Sequence, residues 1–532
     1  MDNPTQPVEV MALTASSERT APSDQPVQRE TMDHLPATEF AASDPNARPA
    51  AFRSLAHEIL FVLTATMSIA LPSFLQGSIL IISPAMKSEL NMTTAQLTWV
   101  IASSSLTSGS FLLFFGKVAD MFGRRSIMLG SLFVFSVFAL ATGFARDAIT
   151  INALNGVMGL TSASIIPSAQ GILGSIYDRP SKRKNYAFAC FSSGNHLGFA
   201  FSAVFSGIAT HLFSWSASFW LLAIIYLVVA LIACFVVPND DSEKLPLNKT
   251  SLKQFDYMGV LLTVGGIGMF TAGISIGPDA PEGWKTPYII AFLVTGPLMI
   301  ATFVWWETRF QYPLMPMKVW LDREFSLLIG ILLLGFVSFP ALFFFSALYL
   351  QDLFGYSALI TAVCLLPSAV AGVVVNILAG KLLHKVSNKL LMGIGAAGFT
   401  IAFLLAAVQR SGASYWAFTF PAFIIVVFGT DFEFNVVNMY VVSSLPKSQQ
   451  SVASSIFQTA IKLSTVIGLG ICAAIFASVS EHPATAGYYV HDPFEPYAAL
   501  FWFATAVSLI SLLLVPFLNI TTQGVGPEKK HG

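Results

Sequence analysis

The feature that limits this chain most is the recurrence of apolar stretches, each long enough to cross a bilayer. A spanning helix needs about 20 predominantly apolar residues to match a hydrocarbon core about 30 Å thick. Such runs lie near 59–82, 97–115, 126–145, 149–176, 187–209, 216–237, 256–277, 287–307, 325–350, 358–380, 390–408, 415–440, 452–478 and 497–519. Fourteen spans follow. Of the 532 residues 55% are hydrophobic and 11% charged, whereas soluble domains carry roughly 25% charged residues; most of the chain therefore belongs in lipid. There, backbone polar groups must be satisfied inside each segment, so the expected fold class is an all-α polytopic membrane protein. Pro72, Pro167, Pro340, Pro367 and Pro421 fall within runs and predict kinks rather than breaks.

Between the second and third runs sits GKVADMFGRR, Gly116 to Arg125. Gly116 and Gly123 permit a tight reversal, while Lys117, Arg124 and Arg125 favour the cytoplasmic side. The whole charge pattern agrees. With both termini cytoplasmic, 23 of the 28 Lys and Arg fall in the tails and inner loops, against Lys87, Arg146, Lys285 and Arg410 outside and Lys462 within a span. On this topology, Asn91 alone of the sequons at Asn91, Asn248 and Asn519 faces outward, where it could be glycosylated. Residues 1 to about 50, rich in Pro, Ser, Thr and acidic side chains, are expected to be a disordered tail. No signal peptide precedes the first run, which is expected to serve as its own uncleaved signal. Cys190, Cys234, Cys364 and Cys472 lie inside apolar runs without metal-like spacing and read as small buried hydrophobes.

The basic turn resembles the loop between helices two and three of major facilitator superfamily transporters, Gly-x-x-x-Asp-x-x-Gly-Arg-Lys/Arg, with Gly116, Asp120, Gly123, Arg124 and Arg125 filling the pattern. The resemblance implies that Asp120 makes a conformation-dependent charge contact with the neighbouring bundle. Gly380 to Lys385, GKLLHK, resembles a degraded copy after the tenth run, as expected of a carrier built from repeated halves. A count of fourteen resembles the drug:proton antiporter branch with two inserted helices. FDYMGV at 255–260, EGWKTPY at 282–288 and GTDFEFNVVNMYVVSSLP at 429–446 are similar to the fungal aminotriazole-resistance and boron-exporter group. The implied organisation is a cytoplasmic tail over 1–56, a six-helix bundle over 57–238, a linker with two extra helices over 239–324, a second six-helix bundle over 325–520 and a cytoplasmic tail over 521–532. Two positions depart from the family: Asn155 stands where the fourth-helix motif has Arg, and the fifth-helix antiporter motif is reduced to Gly194, Gly198 and Gly207, without its Pro. Such glycines still allow close helix packing.

Ionisable groups inside spans cost at least about 2.5 to 3.5 kcal/mol at a helix centre and mark function by default. They are Asp431 and Glu433 on the twelfth run, Lys462 on the thirteenth and His196 on the fifth, the proton-coupling candidates. At 1.5 Å per residue, Asp431 and Lys462 both lie roughly 15 Å deep. The expectation is an intramembrane Asp431–Lys462 pair, with Asn435 and Asn438 continuing one face and Gln458 one turn from Lys462. Two roles stay open: a static clamp, or a pair broken by protonation of Asp431 or Glu433. His196, among Ser192, Ser193 and Asn195, reads either as a satisfied buried histidine or as a relay. Gln76, Asn155, Asn376 and Gln458 are further candidates for lining a central cavity.

Other chemistry has no sequence support. There is no phosphate loop for ATP-driven export, GGIG at 265–268 follows no strand, and no metal spacing occurs. Neither a cofactor nor an enzymatic activity is expected. The formal net charge of −1 gives no case for nucleic acid. The expected partners are a small-molecule substrate, protons and the lipid bilayer, with the chain a monomer in the plasma membrane rather than the vacuolar one. The expected function is export of small toxic compounds or a fungal metabolite by alternating access and proton antiport. The alternatives are proton-coupled import of a nutrient or siderophore, or a non-transporting membrane sensor.

Overall fold

The computed structural model describes residues 46–92, 94–239, 255–277, 280–356, 358–483 and 488–520. The tail up to residue 45, the stretch containing Asn248 and the tail 521–532 lie outside the described residues. Fourteen long helical rods run through the rest. They are α1 (Leu55–Glu89), α2 (Thr94–Phe122), α3 (Arg124–Thr142), α4 (Ala148–Ile176), α5 (Lys182–Phe201, continued by a π-helical turn Ser202–Ser206 and a short helix Gly207–Leu212) and α6 (Trp215–Val236). Then come α7 (Tyr257–Ile276), α8 (Pro287–Glu307), α9 (Arg323–Phe336 and Phe339–Asp352), α10 (Ala358–Leu382), α11 (Asn388–Val408), α12 (Thr419–Ser444), α13 (Gln450–Glu481) and α14 (Glu495–Leu514). Among the described residues, twelve are long and apolar enough to cross a membrane. The other two are α2, which carries Ser103, Ser104, Ser105, Thr107, Ser108 and Ser110, and α5, which begins Lys-Arg-Lys-Asn.

Local sequence explains the starts. Ser54, Asp147, Ser181, Asp256 and Asp322 each accept a hydrogen bond from a backbone N–H of the turn they precede, satisfying donors that a helix start leaves open. Gly123 holds φ at 108° between α2 and α3, a conformation costly for any residue with a Cβ. Of the expected kinks, the one near Pro340 is a full break: α9 interrupts between Phe336 and Phe339. Pro167 and Pro367 sit inside continuous helices.

The first six and last six helices repeat one neighbour scheme. The first six pack α1 on α5, α2 and α3 on α4, and α3 on α6; the last six pack α9 on α13, α10 and α11 on α12, and α11 on α14. The inserted α7 and α8 pack on each other, and α7 leans on α2 and α13. Across the two sixes, α5 meets α10 while α13 meets α2 and α4. Odd-numbered helices start, and even-numbered helices end, at the end that carries the basic turn. There Arg125 Nη2 donates to Cys234 O beyond α6's middle at 2.8 Å, Lys389 Nζ donates to Pro516 O after α14 at 2.6 Å, and Lys117 Nζ donates to Pro313 O after α8 at 3.0 Å. The cations thus collect at one end of an even number of rods.

Small residues set the closest approaches. A Cβ on Gly159 of α4 would overlap the carbonyl oxygen of Ser104 on α2, while one on Gly130 of α3 would meet nothing within 4 Å. Gly159→Val is therefore expected to abolish the monodisperse peak in size-exclusion chromatography. Gly130→Ala should fold normally and gain up to about 1 kcal/mol of helix stability, read as a raised melting temperature. An unaffected Gly159→Val protein would contradict the α2–α4 packing.

Candidate functional site

Two groups of buried polar residues join the first and last six helices. At the basic end, Asp120 near the end of α2 reaches α13. Its Oδ1 accepts from Arg124 Nε at 2.8 Å and from Ser451 N at 3.2 Å, and its Oδ2 accepts from Val452 N at 2.9 Å. The cap residue Gln449 of α13 makes no side-chain capping bond. A carboxylate from the other half thus supplies the missing N-cap and faces the positive end of the α13 dipole. Arg124, fully buried, also donates to Ser451 Oγ at 3.1 Å, to Gly171 O on α4 and to Lys447 O. Gly116 lies where a Cβ would press on Ser455 of α13, and Arg125 turns away to Asn239 and Cys234. Beside this contact, Lys447 Nζ meets Asp178 Oδ2 at 2.6 Å. Burial pushes the Asp178 carboxyl upward, but its Lys447 partner outweighs that and leaves it below the usual carboxylate range.

The second group lies deeper. Asp431 Oδ1 on α12 is 3.7 Å from His196 Nε2 on α5, an ion pair when the imidazole carries a proton and too long for a normal hydrogen bond otherwise. Asn435 donates to Asn376 Oδ1 on α10 at 2.8 Å and to Asp431 O at 2.8 Å, while Ser192 of α5 donates to Asn435 Oδ1 at 2.9 Å. Closer to the basic end, Gln170 of α4 donates to Asn438 of α12 and accepts from Ser454 Oγ of α13 at 2.7 Å. Five helices, two from the first half and three from the second, are tied by side chains that would be costly to leave unpaired in a low-dielectric interior.

The expected Asp431–Lys462 pair does not form. Asp431 faces α5, whereas Lys462 makes no ion pair among the described residues and lies alongside Gly109 of α2. Depth was right for a meeting, but rotation about the helix axis sends the two side chains to different neighbours. Glu433, two residues from Asp431 and so about 200° around the helix, points into the last six helices. It lies against Gly335 of α9 and Gly395 of α11, with both carboxylate oxygens lacking a hydrogen-bond partner among the described residues. Gln76 Nε2 donates to Ser105 Oγ at 2.6 Å, joining α1 to α2, and Asn155 Nδ2 donates to Val100 O at 3.4 Å, joining α4 to α2. Gln458 is buried on α13. Gly194 and Gly198 lie against the carbonyls of Thr66 and Ala70 on α1. Asn91 is exposed just past α1 with φ 52°. Sequence reasoning missed Gln170, Ser454, Lys447 and Asp178. Gln170 could have been flagged as an amide deep in an apolar run; the others are ordinary until their partners are known.

The family model of the Major Facilitator Superfamily matches residues 61–469 and 376–530. The chain belongs to this family. A low affinity ammonium transporter of Saccharomyces cerevisiae is 28% identical over 73% of this chain and 75% of its own. The efflux pump terJ of Aspergillus terreus is 26% identical over 81% of this chain and 83% of its own. The aminotriazole resistance protein of Saccharomyces cerevisiae is 24% identical over 86% of each, in keeping with the group that the sequence motifs resemble. Among solved structures, the human organic anion transporter MFSD10 superposes with a TM-score of 0.60 at 12% identity, covering 86% of this chain and 99% of that one; this likeness bears on the fold. A facilitator-superfamily chain is a membrane transporter and not an enzyme, and with twelve apolar spans it is an integral multi-pass membrane protein.

The two basic-end contacts differ in expected worth. Asp120→Asn removes the buried charge that faces Arg124 and the start of α13 and is expected to cost closure roughly 3 to 5 kcal/mol. Asp178→Asn removes a half-exposed pair and should cost under about 1 kcal/mol. Spin labels at Arg179 and Ser448 read this directly: a broadened, longer distance in Asp120→Asn and a near-native one in Asp178→Asn. Because Asp178 has a lowered pKa, its contribution is present above the ordinary carboxylate range and is lost as pH falls through the lowered value. The distance should therefore not change between pH 5 and 8 on account of this pair. The reverse ranking of the two variants would contradict the assignment.

Proposed function

We propose that this transporter exports small toxic compounds or a fungal secondary metabolite by alternating access, driven by inward proton movement. The observation that carries alternating access is the capping of α13 by Asp120. This buried contact between the halves, with the Lys447–Asp178 pair beside it, holds the basic end shut and must break for that end to open. With the cations placed in the cytosol, the conformation described is closed inward, both termini are cytoplasmic, and α2 and α5 cross with the other twelve, making fourteen spans. The hydroxyl-rich stretch of α2 and the polar start of α5 suit helices that face a polar path between two bundles. The boundaries 57–238, 239–324 and 325–520 follow as the first bundle, the inserted pair with its connections and the second bundle.

Export is favoured by the names of two relatives, the efflux pump and the aminotriazole resistance protein. His196 and Asp431, the imidazole–carboxyl contact between the two halves at mid-depth, are the proposed proton site, with the Asn376–Asn435–Ser192 amide and hydroxyl set as the polar surface beside it. Glu433 and Lys462 have no place in that contact. The chain acts as a monomer in the plasma membrane. A second reading, import of a small cationic nutrient, is favoured by the name of the ammonium transporter.

Cells lacking the gene should retain more of an exported toxic compound than cells carrying it; lower retention would make the carrier an importer. In reconstituted vesicles Asp431→Asn should abolish uptake driven by a pH gradient while sparing substrate exchange at equal pH. Unchanged proton dependence would remove Asp431 from coupling.

A further inference from the structure

The inserted pair α7–α8 does not close tightly onto the bundles. Between it and α2, α9, α13 and α14 lies a cavity of about 740 Å³, away from the Asp431 site. Its walls are apolar side chains such as Leu334, Leu463, Phe503 and Val304. Of the hydroxyls on its lining, those of Thr263 and Ser464 are spent on the carbonyls of Gly259 and Leu333, both at 2.7 Å, and that of Thr459 alone has no partner among the described residues. Water has too few partners to fill such a space, and an unfilled apolar void forfeits dispersion contacts in proportion to its size. Val304 lines the cavity and is 45% exposed, so the cavity opens on the lipid-facing side of α8.

Its dimensions and its floor select the occupant. Along α13 the lining runs from Ile456 to Ile467, roughly 16 Å at 1.5 Å per residue, about half of a hydrocarbon core about 30 Å thick and so the depth of one leaflet. At the basic end the cavity is floored by Met315 and Trp320, and the Trp320 indole N–H is buried without a hydrogen-bond partner among the described residues. Lys318 lies exposed in the same 3-10 turn, Met317–Leu321, and Arg323, whose side chain is 65% exposed, follows it, 3.9 Å from Glu324 and donating to Phe517 O at 3.5 Å. An apolar slot one leaflet deep, ending in an unused indole donor and two cations, matches a single lipid chemistry. The geometry points to a binding site for one anionic phospholipid, its acyl chain between α8, α9 and α13 and its headgroup oxygens at Trp320, Lys318 and Arg323. The lipid fills the seam that the inserted pair leaves, a structural role separate from transport through the central path.

The test is photolabelling of the purified full chain in nanodiscs with a phosphatidylserine carrying a diazirine in its acyl chain, followed by peptide mapping. A Cβ at Gly330 meets nothing within 4 Å, so Gly330→Leu fills the slot without displacing protein; Ala460→Leu does so from the opposite wall. Labelling is expected to concentrate on the peptides bearing Gly330 and Ala460–Ile467. It should fall several-fold in each monodisperse variant while labelling of the lipid-facing α3 stays constant. A phosphatidylcholine probe at the same mole fraction should label the slot less, and Trp320→Phe should narrow that difference. Labelling of α9 and α13 no stronger than that of α3, or unchanged by both filling variants, would overturn the site. Equal labelling by the two lipids would overturn the anionic headgroup.

Discussion

One carboxylate decides how the two halves of this transporter sit at the basic end. A helix start leaves backbone N–H groups without partners, and α13 does not satisfy its own from its cap residue. Asp120, more than three hundred residues earlier, accepts from two of them. Because the donors belong to one half and the acceptor to the other, the contact is available only while that end is shut. Arg124 holds the carboxylate in place and reaches α4 and the α12–α13 connection as well. Electrostatics of this kind are strong because the groups are buried, and reversible because each half can be solvated once apart.

The same logic explains why the polar residues of α2, α4, α5 and α12 are where they are. A hydroxyl or amide in the interior must find a partner, and many here find it across helices: Gln76 with Ser105, Ser164 with Ser131, Ser206 with Ser78. Within a half these bonds fasten the bundle; between halves, as with Gln170, Asn438 and Ser454, they add to a closure that has to be undone. The distinction lies in which helices are joined rather than in residue type.

Much of this was legible in the sequence. Run lengths and the placement of cations gave the rods and their alternation, and the pattern Gly116–Asp120–Gly123–Arg124–Arg125 marked the turn before any coordinates. What a linear reading could not supply was azimuth. Asp431 and Lys462 have compatible depths, yet depth is one coordinate of two, and the side chains leave their helices toward α5 and α2. Glu433 differs from Asp431 by two positions and lands inside the second bundle, against Gly335 and Gly395. The long-range partners Asp178–Lys447 and Gln170–Asn438 were equally hidden, since each residue is unremarkable until the halves meet. The break in α9 and the π-helical turn after α5 depend on packing that no run of apolar residues records.

The central claim is that the basic end opens and closes during transport. Cysteines at Asp178 and Lys447, whose side chains touch across the halves, placed in a background without the four native cysteines, can be joined by a short cleavable thiol cross-linker. The account predicts that joining them stops transport in reconstituted vesicles and that cleaving the linker restores it. Transport at full rate with the halves joined would contradict it.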